Sequence, residues 1–227
     1  MSKTCRMFRL LRADEIECRV QKCNENGVSV LLYKDARCDM NILDETVGAM
    51  NWKKNYQLID GQLFCTLEVW DREKQQWIGK QDVGVESNTE AEKGRASDAQ
   101  KRSAVAFGIG RELYTAPFIW IKASDTKLEE YDDNGRKKYK CKDAFMVRAI
   151  EYENDCISYL LICNKRGEIV YQYGISEANA TPRMKLIAYC KSAGLDLNDI
   201  AAKYNLDKNT DDARYNEVLE ELKNVSK

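Results

Sequence analysis

The residues best suited to do chemistry lie between Asp82 and Thr115, where Lys101 and Arg102 stand side by side. They sit in a small-residue, helix-forming stretch that runs into Phe107-Gly108-Ile109-Gly110-Arg111. Adjacent cations on a rigid element suit holding a phosphate backbone, a contact that positions a strand without reading its sequence. Nothing around them is equipped to break a bond. The chain has no histidine, which removes the usual general base, the usual metal ligand and any Ser-His or Cys-His dyad. Nine cysteines, at 5, 18, 23, 38, 65, 141, 156, 163 and 190, form no C-x-x-C pair, so a zinc site has no support. No P-loop is present, because Gly79-Lys80 lacks both the upstream glycine and the following hydroxyl. The expectation is a binding protein without catalytic residues, metal or cofactor.

Other cations accompany the pair. Lys93 and Arg95 precede it, Arg95 seven residues before Arg102 and so on the same helical face, and Arg111 follows. A separate basic run, with Lys137, Lys138 and Lys140, lies in the polar stretch 126–142 behind the acids Glu129, Glu130, Asp132 and Asp133. It reads as a solvated hairpin, or as a second contact with an incoming strand. The net charge of −1 argues against a histone-like polymer binder. It leaves room for a cationic groove among acidic faces, since local field steers a ligand. An enzyme reading would be a metal-dependent nuclease built on Glu68, Asp82 and Glu86, but no D…[DE]-x-K pattern stands out. The glycines of Gly108-x-Gly110 follow a helix, whereas an anion is cradled where a helix begins, so close packing and helix termination are expected of them. Trp52, Tyr56, Trp70, Trp77, Tyr114 and Trp120 are capable of stacking on bases, yet most lie on alternating strands, where core or interface packing is the expected role.

These residues need elements to position them. VSVLLY at 28–33 reads as a strand, and Asp39 to Gly48, with Met40, Leu43 and Val47 at helical spacing, as a short helix. Trp52–Ile59, Leu63–Trp70 and Trp77–Val85 alternate, joined by Asp60-Gly61 and by a reversal at Asp71 to Gln75, which predicts a three-stranded antiparallel meander. Thr89 and Glu92 stand at capping-box spacing before the long helix. Along it Ala96, Ala99, Ser103, Ala106 and Gly110 form a small-residue stripe able to lie against a sheet. Strands are expected again at 144–152, 156–163 and 168–173. Helices follow from Thr181-Pro182, at Leu197–Tyr204 and at Asp211–Asn224. The fold class is therefore α+β, a meander packed on a long helix, with a core at 1–175 and a small helical appendage at 176–227.

At 227 residues the chain can bury a substantial core. No apolar run reaches the roughly 18 residues of a membrane span, and the N-terminal stretch has no signal-peptide h-region. The odd number of scattered cysteines points to a reducing compartment, with Cys65, Cys156 and Cys163 buried as small hydrophobes.

The order of elements and the motif Asp98, Lys101, Arg102, Phe107, Gly108, Gly110, Arg111, Glu112, Leu113, Tyr114 resemble the single-strand annealing proteins of the Rad-fifty-two type. The likeness is closest to the Sak-like recombinases of phages and mobile elements, where LLYKDARCDMNILDETVGAMNW and KQDVGVES also look familiar, and it covers about residues 28–122. The resemblance implies ATP-independent binding of single-stranded DNA, with annealing of complementary strands during recombination, by a homo-oligomeric ring or filament in the bacterial cytoplasm. It implies that Lys101 and Arg102 contact the DNA backbone at a groove floor, with Arg37 as the nearest match to a further contact and Lys93 and Arg95 as upstream cations. The C-terminal helices read either as a docking element for a single-strand-binding protein or as a cap on the fold, and nothing in their sequence chooses. A protein that coats single strands without annealing them is the alternative.

Overall fold

The computed structural model describes residues 6–85, 91–207 and 210–225, in two compact units, Thr4–Gly174 and Ile175–Lys227. The larger unit is α+β. Its strands are β1 (Glu17–Asn24), β2 (Gly27–Tyr33), β3 (Trp52–Ile59), β4 (Gln62–Asp71), β5 (Gln76–Val83), β6 (Ile119–Lys122), β7 (Leu128–Asp133), β8 (Arg136–Cys141), β9 (Phe145–Glu153), β10 (Cys156–Asn164) and β11 (Ile169–Tyr173). Among the described residues it also holds two α-helices, α1 (Ala36–Val47) and α2 (Ala91–Phe107), and three short 3-10 turns.

The meander forms as its alternation predicts. β3 pairs with β4 in unbroken register from Trp52 opposite Val69 to Ile59 opposite Gln62, and β4 pairs with β5 from Phe64 opposite Val83 to Asp71 opposite Gln76. Asp71 fixes the second reversal by accepting the amides of Glu73 and Lys74, each at 3.0 Å. On one face Cys65, Leu67 and Val69 are buried. The small-residue stripe of α2 lies against it, with Ala99 and Ser103 fully buried and the Ser103 hydroxyl donating to the Cys65 carbonyl at 2.6 Å.

A larger sheet lies beyond, in the order β11-β10-β9-β1-β2-β6. Residues far apart in sequence close it, since Glu17 of β1 pairs with Met146 of β9. The edge strands approach each other, and the Tyr171 hydroxyl donates to the Phe118 carbonyl at 3.2 Å, so the sheet curls towards a barrel. Val28, Val30, Ile119, Ile121, Leu160 and Ile162 supply its core, shared with Ile42 and Leu43 of α1 and Ala104 of α2. Thus α2 packs against the meander along one side and against this core along another.

β1 is a strand that the sequence reading did not include, since it carries no apolar run and is broken by a bulge between Val20 and Lys22, so its membership in the sheet has no periodic signal. Two expectations need correction. α1 begins at Ala36 because Asp35 caps it, accepting the Arg37 amide at 2.7 Å, and Asp39 lies in its buried face. Cys156 is exposed at the start of β10, while Cys65 and Cys163 are buried. The capping box cannot be placed, as Thr89 and the side chain of Glu92 lie outside the described residues.

The smaller unit holds α3 (Pro182–Ser192), α4 (Leu197–Tyr204) and α5 (Asp212–Val225). Thr181 and Asp196 cap the first two, and Leu186, Cys190, Ile200, Tyr204, Val218 and Leu222 form its core.

Candidate nucleic-acid interface

The end of α2 explains the two glycines beyond it. The Ile109 amide donates to the Ala104 carbonyl at 3.1 Å and the Gly108 amide to Val105 at 2.9 Å, the paired closure of a Schellman motif, with Gly108 at φ +101°. Both amides are thereby committed to the helix, so no anion cradle forms here. Gly110, at φ +73°, serves a different purpose. A Cβ on it would lie 2.3 Å from Cε and 2.7 Å from Cδ of Lys34. The lysine chain passes over the bare glycine to reach Asp39 of α1, and both charged groups are buried, Lys34 at 3% and Asp39 at 0% exposure. Burial pushes the Asp39 carboxyl up to about 6 against the opposing pull of Lys34, and Lys101 adds a smaller pull downward. One Asp39 oxygen has no hydrogen-bond partner.

Glu112 is a second buried acid of the same motif. It accepts the Leu11 amide at 2.7 Å and faces Arg6 at 3.8 Å, tying the N-terminal segment to the core. Asp98 accepts the Val85 amide at 3.0 Å and so holds the chain leaving β5 against α2. Gln100 is buried between three elements, donating to the Ala36 carbonyl at 3.0 Å and accepting from Lys54 at 2.6 Å. Much of the motif thus builds and fixes the helix that presents Lys101 and Arg102.

The pair itself straddles the open side of α2. The Lys101 ammonium lies 5.9 Å from the Tyr33 ring centroid and makes no ion pair with any described residue. Arg102 is exposed and reaches the other way, its Nε 3.1 Å from Asp82 of β5. That hydrogen bond raises the Arg102 pKa further. Arg95 directs a long contact of 3.5 Å to the Gly61 carbonyl. Arg37, its side chain 81% exposed, forks onto Asp35 at 2.9 and 3.1 Å, at the start of α1. Such exposed pairs contribute little stability, and a phosphate can compete for either cation.

The remaining candidates are placed differently. Arg111 donates to the Val105 and Ala106 carbonyls, both at 3.0 Å from Nη2, and Lys80 donates to Ala106 at 2.7 Å. Two cations therefore serve the negative end of α2. Lys93 lies on α2, but its side chain is outside the described residues. Lys137 and Lys138 are on the β7–β8 hairpin, neutralised by Glu130 at 2.8 Å and by Asp133, whereas Lys140 makes no ion pair with a described residue. The carboxylates of the nuclease reading are not brought together: Glu68 and Asp82 point from opposite faces of the meander, each paired to a cation, and Glu86 lies outside the described residues.

Of the aromatic residues, Trp52 donates to Asp44 at 2.6 Å and Trp70 packs edge-on to Trp77 at 5.4 Å. Tyr114 is largely exposed, and Trp120 stacks on Phe118. Phe118, Leu31 and Arg19 went unremarked at the level of sequence. For Phe118 the signal was the alternation in Phe118-Ile119-Trp120-Ile121, which puts one residue type on each side of an edge strand, whereas Leu31 and Arg19 join it only through strand pairing.

No family model matches the chain, and no solved structure matches it. Over 102 residues it is 34% identical to the single-stranded DNA-binding protein DdrA of Deinococcus deserti, covering 44% of this chain and 49% of that one. Over 100 residues it is 34% identical to the protein of the same name from Deinococcus radiodurans, covering 43% and 47%. The chain spans about half the length of the curated relatives it matches.

Proposed function

We propose that this chain binds single-stranded DNA along the open side of α2 and speeds the annealing of complementary strands without ATP, as a homo-oligomeric member of the Rad-fifty-two type. The observation that carries the reading is Lys101, a cation with no ion partner among the described residues, on a helix fixed by the surrounding motif. Arg102 beside it pairs, among the described residues, with the partly exposed Asp82. The similarity to proteins named for single-stranded DNA binding supports the choice of ligand. Immobilising one strand by its phosphates lowers repulsion when the complement arrives and converts encounter into an oriented contact. No bond is made or broken, and the proposed setting is recombination in a bacterial cytoplasm, with the C-terminal helices available to a single-strand-binding protein. The relatives' name equally favours a second reading, a protein that coats single strands and protects them. Mixing two complementary oligonucleotides with the protein separates the two: an annealer accelerates duplex formation, and a coater slows it.

A further inference from the structure

Strand alternation turns one set of side chains of β1, β2 and β6 away from the core, an outer strip in which Phe118 and Leu31 are exposed, Trp120 is half-buried and the small Ser29 is covered by its neighbours. Ile119 and Ile121 point into the core, so Phe118 and Trp120 point out, with Phe118 76% exposed. Their rings lie 6.3 Å apart at an interplanar angle of 16°. On β2, Val28 and Val30 face inward, and Leu31, 47% exposed, and Tyr33 face outward. The register aligns these residues across three strands. Trp120 stands opposite Ser29, Ser29 opposite Lys22, and Leu31 opposite Arg19, while Lys122 closes the far end opposite Gly27. The near end is Tyr33, with Lys101 above its ring.

The charges on this strip separate it from an ordinary apolar patch. Arg19, Lys22 and Lys122 are exposed, and none forms an ion pair with a described residue. On the β7–β8 hairpin, by contrast, acids answer Lys137, Lys138 and Lys142. The acid at the edge of the strip, Glu17 opposite Tyr33, accepts the Tyr33 hydroxyl. Flat apolar rings flanked by uncompensated cations complement a chain that alternates aromatic bases with phosphates.

We propose that this strip is a stacking surface for the bases of single-stranded nucleic acid, continuous with the Lys101 ledge. The inference rests on the single-strand-binding reading and adds to it a basis for rejecting duplex, whose base faces are already stacked. A base lying on Phe118 keeps its pairing edge free, so stacking is compatible with annealing.

The test compares oligothymidylate with an abasic oligonucleotide of equal length and charge, by fluorescence anisotropy, for the wild type and Phe118→Ala. Phe118 is exposed, so its truncation leaves the core intact. Phe118→Ala is expected to lose roughly tenfold in affinity for oligothymidylate, to lose nothing on the abasic strand, and to keep the salt dependence of the wild type. No loss on oligothymidylate, or an equal loss on both strands, overturns the proposal. Sedimentation of the variant identifies one cause of an equal loss: a reduced oligomeric state assigns the strip to contact between copies. A wild type that binds neither strand, or binds regardless of Lys101 and Arg102, defeats the underlying reading instead.

Discussion

Replacing Gly110 by alanine probes the link between the glycine motif and the buried pair beneath the cationic ledge. The new Cβ would sit 2.3 Å from Lys34 Cε, well inside contact distance, at a backbone φ of +73°. The conformation alone costs a residue with a side chain about 1–2 kcal/mol. Lys34 cannot simply swing aside, because its ammonium is the counter-charge of Asp39 and both are buried. Uncoupling such a pair costs about 3–5 kcal/mol. Gly108→Ala is the matched control, since Gly108 also has positive φ but a Cβ there meets nothing within 4 Å. Urea melts should show Gly108→Ala losing about 1–2 kcal/mol and Gly110→Ala losing at least about 2 kcal/mol more. Equal losses in the two variants would refute the claim that Gly110 exists to let Lys34 pass.

The same pair predicts a pH effect. The folded Asp39 pKa is raised to about 6 from the ordinary carboxyl value of 3.8. The neutral form is therefore favoured on folding, and this contribution is full below about pH 4 and lost as pH rises through about 6. The shift corresponds to about 3 kcal/mol. Glu15, Glu45 and Asp35, with lowered pKa values, act in the opposite direction, so the test is the difference between wild type and Asp39→Asn measured at pH 4 and pH 7. The variant should lose this component of the slope, and parallel profiles would contradict it. On the β7–β8 hairpin, neutralising Lys137, Lys138 and Lys140 together should slow annealing more than it weakens binding to one strand. Stopped-flow annealing and anisotropy on the same variant decide, and equal effects reject a second contact there.

Local rules made part of this molecule readable from its residues. Asp60-Gly61 between alternating runs defined the meander, the small-residue stripe defined the sheet-facing side of α2, and Thr181-Pro182 marked a helix start. Periodicity reports which side of an element is apolar, but not what lies against it. The insertion of β1 between β2 and β9 depends on a pairing across about 130 residues, and its bulge erases the alternation that would reveal it. Likewise Lys34 and Asp39 look like surface charges beside a helix start, and only tertiary packing makes them a buried pair under Gly110. For the candidate site, the sequence showed Lys101 and Arg102 as adjacent cations on a helix, and the structure adds what each one faces. The spacing of Arg111 gave no hint that its guanidinium serves the helix end. The strip around Phe118 required the β2–β6 register, which no local pattern contains.

The most direct measurement is the salt dependence of oligothymidylate binding for the wild type and for Lys101→Ala with Arg102→Ala. Each phosphate contact adds roughly −0.7 to the log–log slope for a single strand. Removing two should make the slope shallower by about 1.4 and abolish binding at moderate salt, while circular dichroism shows a folded protein. A folded variant with the slope and affinity of the wild type would contradict the ledge as the place where the strand is held.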